Sequence, residues 1–248
     1  CNRLGRSAGL AVAKKPGGTS FNPLMIYGGV GLGKTHLAQA IGNSIKNDFK
    51  SKVVLYVQSE KFINQFIESI KSNSVNDFIN FYQLIDVLIV DDIQFLSNKQ
   101  KMQEIFFNIF NQLHQNGKQI ILTSDRPPKD MEGIEERLIS RFKWGLVSRI
   151  DPPEYETRAA IIKKKAALKG TELSDDVVAL MAARITTNTR EAEGALNRLL
   201  GSARLLHKKI DKGFVLEVLA DLMGDANQLV QINDILGAAE DHFGVKLS

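Results

Sequence analysis

Short apolar runs alternate with helical patterns along the first part of the chain. Continuous apolar runs of strand length are typical of parallel strands that are buried on both faces. The residues between the runs place apolar side chains at helical spacing. The pattern therefore predicts an α/β fold in which helices flank a parallel sheet. The runs cover residues 24–27, 53–57, 87–90, 119–125 and about 146–150.

The interval between the second and third runs is longer than one crossover helix requires. Apolar residues recur at helical spacing over residues 62–70, and Ser74 can cap a second helix with Asp77 as its capping-box partner. One interpretation is a two-helix insertion over about residues 60–83, which would form a separate contact surface. A single kinked crossover helix is the alternative.

A long amphipathic helix is predicted next, because Ser97 and Asn98 can begin a helix whose apolar stripe runs to Leu113. Lys99 and Lys101 lie at its N-terminal end, where a cation opposes the helix dipole. A bound anion could compensate for that placement. Solvated surface lysines are the commoner explanation for two lysines at such a position.

The pattern becomes helical throughout after the Asp-Pro-Pro sequence at residues 151–153, and the prolines suit the start of a helix. Ser174 and Asn188 are the predicted N-caps of the next two helices, and a fourth helix is expected over about residues 214–223. We expect an α/β domain over residues 1–150, a small all-α lid over residues 151–226, and the start of a further, truncated unit at residues 227–248.

A phosphate-binding motif follows the first apolar run. It fits the pattern G-x-x-x-x-G-K-[ST], with a strand before it and a helix after it. Its glycines allow backbone amides to point at a polyphosphate, the lysine would reach the β- and γ-phosphates, and the threonine hydroxyl would bind Mg²⁺. A glycine-rich turn without a ligand is the alternative. The motif consists of Gly28, Gly29, Val30, Gly31, Leu32, Gly33, Lys34 and Thr35.

Two carboxylates follow the third apolar run directly. A buried strand that ends in two aspartates after a phosphate loop is typical of a Walker B motif. Asp91 would hold Mg²⁺ through its water shell, and Asp92 would orient or polarise the attacking water. Two solvated turn aspartates are the alternative.

The fourth run ends in Thr123, Ser124 and Asp125. Ligands of open α/β sheets lie outside the carboxyl edge of the parallel strands. We therefore expect these three side chains to meet the γ-phosphate or its attacking water.

Composition and charge permit many functions and exclude a few. The chain has 248 residues, of which 44% are hydrophobic and 24% are charged, as in ordinary globular proteins. It starts without methionine and is expected to be a fragment; no signal peptide or membrane-spanning run is apparent. Cys1 is its single cysteine, which excludes an internal disulfide and suits a reducing cytoplasm. The net charge of +4 permits a nucleic-acid partner and equally fits a lysine-rich surface.

Several stretches together resemble the AAA+ ATPases, and more closely the DnaA family of bacterial chromosomal replication initiators. The resemblance covers nearly the whole chain, and several of its strings are specific to that family. They lie at residues 22–37, 91–96 (DDIQFL), 123–128 (TSDRPP), 137–146 and 188–198 (NTREAEGALNR).

The resemblance implies roles for residues around the nucleotide, which would be ATP or ADP with Mg²⁺. Asp125 matches the sensor 1 position, and Arg190 of the lid matches the sensor 2 arginine. Arg141 matches the arginine finger, which acts on ATP bound to the neighbouring subunit, and Arg137 matches a second arginine at that interface. His36 belongs to the matching phosphate-loop string and is counted with the nucleotide-binding residues.

The resemblance also implies partners. Members of the family bind ATP, hydrolyse it slowly as a regulatory step, and oligomerise in the ATP state on origin DNA. The insertion drives a helical filament and lines a path for single-stranded DNA, where Ile67, Lys99 and Lys101 match contact positions. Duplex reading is expected to need a C-terminal helix-turn-helix that this chain lacks. Helicase and regulators would bind through other or missing regions, and acidic phospholipids promote nucleotide exchange in the family.

Two other functions compete with the initiator. A helicase loader or a regulatory paralogue would share the ATPase core, but a regulator would end after the lid. A P-loop enzyme that phosphorylates a small molecule would not need a lid that carries Arg190. The lack of an N-K-x-D motif favours adenine over guanine.

Overall fold

The computed structural model describes residues 2–220 of the chain. The protein forms two compact units, and the division between them lies between Glu154 and Tyr155. The predicted boundary at Asp151 falls shortly before that position. The predicted end of the lid at residue 226 and the further unit at residues 227–248 lie outside the described residues.

The first unit alternates strands and helices, as the apolar runs predict. Two short 3-10 turns, at Ile93–Leu96 and Pro128–Asp130, interrupt its longer connections. In residues 2–154 the elements are α1 (Arg3–Lys14), β1 (Leu24–Tyr27), α2 (Lys34–Asp48), β2 (Val54–Gln58), α3 (Ser59–Lys71), α4 (Val75–Gln83), β3 (Val87–Asp91), α5 (Gln100–Gln115), β4 (Gln119–Ser124), α6 (Glu136–Phe142) and β5 (Leu146–Arg149).

The strands form one parallel sheet in the order β2-β3-β4-β1-β5. Tyr27 pairs with Ser124 on one side and Arg149 on the other, and Gln58 pairs with Asp91. The carboxyl ends of the strands therefore share one edge of the sheet. The phosphate loop follows β1 at this edge, and the paired aspartates lie at the end of β3. The predicted parallel α/β sheet is confirmed.

Both faces of the central strands are buried, which explains why the runs are continuously apolar. Leu88 and Val90 of β3 pack into a core with α3, α4 and α5. Val87 and Ile89 of the same strand point the other way, into a core with α1 and α2. Successive side chains of a strand alternate between faces, so each β3 residue contributes to one of the two layers.

The insertion between β2 and β3 consists of two helices, α3 and α4, rather than one kinked helix. Asn73 adopts a left-handed φ of 54° between them. The Phe62 ring joins the pair to the rest of the domain, because its centroid lies 5.3 Å from Phe78, 5.0 Å from Tyr82 and 5.8 Å from Phe106 of α5. The predicted capping box is wrong, because the Ser74 hydroxyl makes no cap bond and contacts the Ser72 hydroxyl at 2.7 Å.

The helix α5 begins at Gln100, later than predicted. Asn98 has a left-handed φ of 59°, and its backbone N–H donates to the Gly133 carbonyl at 2.9 Å. The chain therefore cannot be helical at Asn98. A contact with a distant loop determines where this helix starts.

The second unit is helical. The Asn188 side chain accepts a hydrogen bond from the Glu191 N–H at 2.9 Å, as the predicted cap requires, whereas Ser174 stands at an N-cap without a side-chain bond. The first helix begins at Tyr155 and not at the prolines, so that prediction is wrong. In residues 155–220 the helices are α7 (Tyr155–Leu168), α8 (Asp175–Arg184), α9 (Thr189–Leu206) and α10 (Lys212–Ala220).

The four helices of this unit enclose their own apolar core. Its most completely buried side chains include Met181, Leu196, Leu199 and Val215. The fourth helix is described as far as Ala220, so its predicted extension to Met223 lies outside the described part. None of the helices within residues 2–220 is long and apolar enough to cross a membrane.

Candidate functional site

The phosphate loop connects β1 to α2 and depends on its glycines. Gly31 and Gly33 have φ angles of 74° and 95°, which residues with a Cβ rarely adopt. A Cβ at Gly28 would lie 2.4 Å from the Ile150 carbonyl oxygen, so the loop fits closely against the end of β5. Glycines in such conformations allow the backbone amides of a loop to form an anion-binding nest at the start of a helix.

Lys34 begins α2 and is nearly buried, with 7% of its surface exposed. Its Nζ donates to the carbonyl oxygens of Gly28 and Gly29, both at 2.9 Å. The ammonium group thus lies across the phosphate loop. A bound polyphosphate would offer the same three N–H donors anionic oxygen atoms in place of neutral carbonyls.

The two residues predicted to hold Mg²⁺ meet directly. The Thr35 Oγ1 donates to the Asp91 carboxylate, at 2.9 Å from Oδ2 and 3.1 Å from Oδ1. Mg²⁺ prefers oxygen ligands and is usually held by one or two carboxylates together with substrate phosphates. A carboxylate and a hydroxyl beside a phosphate loop therefore fit this ion.

Asp92 follows at the end of β3 with a left-handed φ of 56°. The Gln94 Nε2 donates to its Oδ1 at 3.1 Å and so holds the carboxylate at the sheet edge. Asp92 is only partly buried, so a water molecule at this edge could reach it. Its role towards the attacking water remains a prediction.

The end of β4 makes hydrogen bonds that the sequence does not predict. Thr123 and Ser124 are fully buried, because β4 is a central strand, and whether they meet a γ-phosphate remains a prediction. The Thr123 hydroxyl donates to Asp91 Oδ1 and accepts from the Asp92 N–H at 2.9 Å. Thr123 therefore orients the two aspartates from the neighbouring strand.

Asp125 is the first residue beyond β4 and reaches the partly exposed edge. Arg126 donates to both of its carboxylate oxygens, at 2.8 and 2.9 Å. This hydrogen-bonded ion pair, with a smaller contribution from the Lys34 charge, lowers the pKa of Asp125. The carboxylate is thus ionised and close enough to sense the lysine of the phosphate loop. Its sensor role remains a prediction.

Tyr56 belongs to the site although the sequence pattern assigned it to the core of a strand. Its hydroxyl donates to Asp91 Oδ2 at 2.7 Å from the adjacent strand β2. Burial, and then the bond to Asp91, raise the pKa of Tyr56 to about 12. The phenol is therefore a neutral donor at any physiological pH, and it restricts the rotation of the Asp91 carboxylate.

We expect Tyr56→Phe to weaken the Mg²⁺-dependent part of ATP affinity by about tenfold, since partners that orient a ligand of a metal ion typically contribute that much. Calorimetric titrations with ATP across a range of Mg²⁺ concentrations would measure it. Tyr82→Phe is a matched control, because the Tyr82 hydroxyl donates to Gln65 Oε1 at 2.9 Å outside the site. Equal affinities of the two variants at every Mg²⁺ concentration would contradict the prediction.

The two arginines that the resemblance assigns to an interface lie four residues apart on α6. The Arg141 Nε donates to Asn111 Oδ1 of α5 at 2.7 Å, and the Arg137 Nε donates to Glu135 Oε2 at 2.5 Å. Both guanidinium groups lie over the Phe107 ring, at 4.8 Å for Arg137 and 5.4 Å for Arg141. The structure thus brings the two cations together on one surface of the α/β unit.

Two further predicted residues are exposed. His36 follows Thr35 in the first turn of α2, and Arg190 lies in the first turn of α9 in the helical unit. An arginine at that end of a helix opposes the dipole unless it faces an anion. Their contacts with a nucleotide remain predictions.

The three predicted DNA-contacting residues line one open groove of about 700 Å³. Ile67 of α3 forms one side, with 42% of its surface exposed, and Lys99 and Lys101 lie at the start of α5. The Lys99 Nζ donates to the Phe95 carbonyl oxygen at 2.7 Å, so the lysine is oriented by its own turn. The lining of the groove therefore combines apolar side chains with two lysines, and it also includes Glu135.

Gln103 supports this groove and was not predicted from the sequence. It is 1% exposed; its Nε2 donates to the carbonyl oxygens of Leu96 and Gly133, and its Oε1 accepts from the Glu135 N–H at 2.7 Å. One buried amide thus joins the start of α5 to the loop before α6. A glutamine within an amphipathic helix carries no signal of such contacts.

Comparison with known proteins assigns the chain to a family. Residues 1–149 match the family model of the bacterial DnaA ATPase domain. Over 246 residues the chain is 52% identical to the chromosomal replication initiator protein DnaA of Flavobacterium psychrophilum, a match that covers 99% of the chain and 52% of that relative. The chain thus spans about half the length of this relative.

Comparison with solved structures gives the same family. The chain superposes on domain III of the Thermotoga maritima replication initiation protein DnaA with a TM-score of 0.85 and 40% identity, over 90% of this chain and 92% of that one. A replication initiator DnaA bound to AMPPCP and single-stranded DNA matches with a TM-score of 0.78 and 35% identity, over 99% and 71% of the two chains. The resemblance seen in the motifs is confirmed, and the chain belongs to the DnaA family of bacterial replication initiators.

Proposed function

We propose that this protein is the ATP-switched part of a replication initiator. It binds ATP with Mg²⁺ at the phosphate loop, assembles with further copies in the ATP state, and holds single-stranded DNA of an origin in the groove of Ile67, Lys99 and Lys101. Hydrolysis is slow, because the arginine that completes each site comes from the neighbouring copy. Its role is regulatory, since ADP would end the assembled state.

The nucleotide part of the proposal rests on the sheet edge. Lys34 lies across the phosphate loop, from where it would reach the β- and γ-phosphates, and Thr35 and Asp91 supply oxygen atoms that fit Mg²⁺. That ion would neutralise phosphate charge in the reaction, while Asp92 orients the attacking water. Two of the related DnaA structures contain AMPPCP, a nucleotide with adenine, which supports ATP rather than GTP as the ligand.

The DNA part rests on one observation, which is that three residues from two separate segments converge on one groove. Single-stranded DNA needs cations for its phosphates and apolar surfaces for its sugars and bases. Lys99 and Lys101 supply the cations and Ile67 the apolar surface. The match to the relative that was solved with single-stranded DNA covers 99% of this chain.

Binding of a fluorescent DNA single strand, measured by anisotropy, tests the proposal. We expect tighter binding with ATP than with ADP. The variants Lys99→Ala and Lys101→Ala should each weaken binding and reduce the slope of log affinity against log salt by about 0.7, the value for one lost phosphate contact on a single strand. Lys46→Ala, which removes an exposed lysine of α2, is the matched control and should leave both quantities unchanged.

Absence of DNA binding in both nucleotide states, with normal ATP binding, would favour the helicase loader or regulatory paralogue. An affinity for DNA that is equal in ATP and ADP would contradict the switch. Unchanged binding in both lysine variants would show that the strand lies elsewhere. Origin duplex, helicase, regulators, acidic phospholipids and a cytoplasmic location remain predictions from the family resemblance.

A further inference from the structure

Arg141 is held from three sides by side chains of its own chain. Its guanidinium carbon lies 3.7 Å from the centroid of a Trp144 ring and 5.4 Å from that of Phe107. Its Nε donates to Asn111 Oδ1 at 2.7 Å. The plane of the guanidinium group and one of its donors are therefore engaged, and this arrangement leaves the terminal nitrogen atoms as the part of the side chain suited to another ligand.

The Trp144 ring also packs against the His114 ring. Its ring centroid lies 5.0 Å from that of His114, which in turn stacks on Phe110 with an interplanar angle of 7°. The next residue, Gly145, approaches the chain so closely that a Cβ would lie 2.1 Å from the Pro23 carbonyl oxygen. The tryptophan is about half exposed, yet its position is restricted by these contacts.

A free arginine side chain on a short helix samples many rotamers, and ordering it at the moment of binding costs entropy. Aromatic faces attract a guanidinium group electrostatically, and a hydrogen bond at Nε selects one rotation of its plane. A cation held in this way loses less freedom when it meets an anion. This preorganisation is most useful where two phosphate oxygens must be met in a fixed geometry.

We infer that Trp144, Phe107 and Asn111 are positioning residues for Arg141, and that they orient its terminal nitrogen atoms towards the triphosphate of a neighbouring copy. The inference rests on the proposed function, in which Arg141 acts on ATP bound by another copy. Trp144 is the single tryptophan of the chain, so its emission also reports on the guanidinium group beside it.

ATP-dependent assembly measures the positioning. We expect Trp144→Leu and Asn111→Ala to bind ATP with unchanged affinity as monomers, and to need about tenfold more protein for half-maximal assembly with ATP in analytical ultracentrifugation. Trp144→Phe keeps an aromatic face and should restore assembly to within about threefold of the parent protein. Asn116→Ala is the control for Asn111→Ala, because it removes an exposed asparagine at the C-terminal end of α5, and it should assemble normally.

Tryptophan emission supplies a readout that a purely structural role would not change. We expect Arg141→Ala and Asn111→Ala to alter the emission of Trp144 in the nucleotide-free monomer, while their thermal unfolding temperatures stay close to that of the parent. Assembly with ATP should alter the parent's emission, and ADP should not. Emission that is identical in the parent and Arg141→Ala would overturn the contact on which the inference depends.

The outcomes separate the inference from the proposed function. If Arg141→Ala assembles like the parent protein, the proposed role of the arginine fails and the inference fails with it. If Arg141→Ala loses assembly but Trp144→Leu and Asn111→Ala retain it, only the inference is overturned. Failure of Trp144→Phe to restore assembly that Trp144→Leu has lost would likewise contradict a role for the aromatic face.

Discussion

Lys34→Ala is expected to abolish ATP binding at working concentrations, with an affinity at least about 100-fold weaker than that of the parent protein. The ammonium group would make charge-assisted hydrogen bonds to two phosphates, and each such bond contributes about 1.5–3 kcal/mol. Alanine removes both and leaves the carbonyl oxygens of Gly28 and Gly29 without this donor. Isothermal titration calorimetry with ATP and Mg²⁺ measures the loss.

The result needs evidence that the variant is folded, since Lys34 is nearly buried. Circular dichroism in thermal melts should retain the cooperative transition of the α/β unit. Lys46→Ala is the matched control, because Lys46 lies exposed on the same helix in its last turn. An unchanged ATP affinity in folded Lys34→Ala would overturn the assignment of the phosphate site.

The features that could be predicted from the sequence are those coded within a short segment. Residues 28–35 form the phosphate loop between a strand and a helix, because local glycine geometry and a local lysine define it. Asp91 and Asp92 directly follow a buried strand, and a parallel sheet brings all its carboxyl ends to one edge. The hydrogen bond between Thr35 and Asp91 follows from these two features, because both residues lie at the same edge of the sheet.

The features that could not be predicted depend on contacts between distant segments. Tyr56 and Thr123 contact Asp91 from the strands on either side, and the pattern of apolar residues does not give the register that brings them there. The helix α5 starts later than predicted for a similar reason, since the Asn98 backbone N–H donates to the Gly133 carbonyl oxygen rather than to its own helix. Gln103, which lies 30 residues from Gly133, holds the same contact.

The two arginines predicted to lie at an interface fall between these cases. Family motifs single out Arg137 and Arg141, but the orientation of their side chains depends on residues of α5, such as Asn111, which precedes Arg141 by 30 residues. The side chain of Asn111 looks like any half-exposed polar residue of an amphipathic helix. A motif can therefore name the arginine, whereas the contacts that orient its side chain are visible only in the packed structure.

Arg141→Ala is expected to retain the ATP affinity of the monomer within about twofold and to lose ATP-dependent assembly. The phosphate loop, Asp91 and Lys34 make their contacts with one another within one copy, and none of these contacts involves Arg141. The arginine would instead supply positive charge to a triphosphate held by the next copy, where an arginine finger is typically worth about 10³–10⁵ in turnover. Loss of that charge should remove both assembly and the hydrolysis that assembly stimulates.

The decisive measurement is made in trans. Lys34→Ala cannot bind ATP yet keeps its arginine, and Arg141→Ala binds ATP yet cannot supply one, so a mixture of the two should regain part of the hydrolysis that each lacks alone. Lys143→Ala, which removes the exposed cation beside α6, is the control and should behave like the parent protein. Recovery in the mixture requires a site divided between copies. A large loss of monomer ATP affinity in Arg141→Ala, or no recovery on mixing, would mean that the arginine serves its own nucleotide or none.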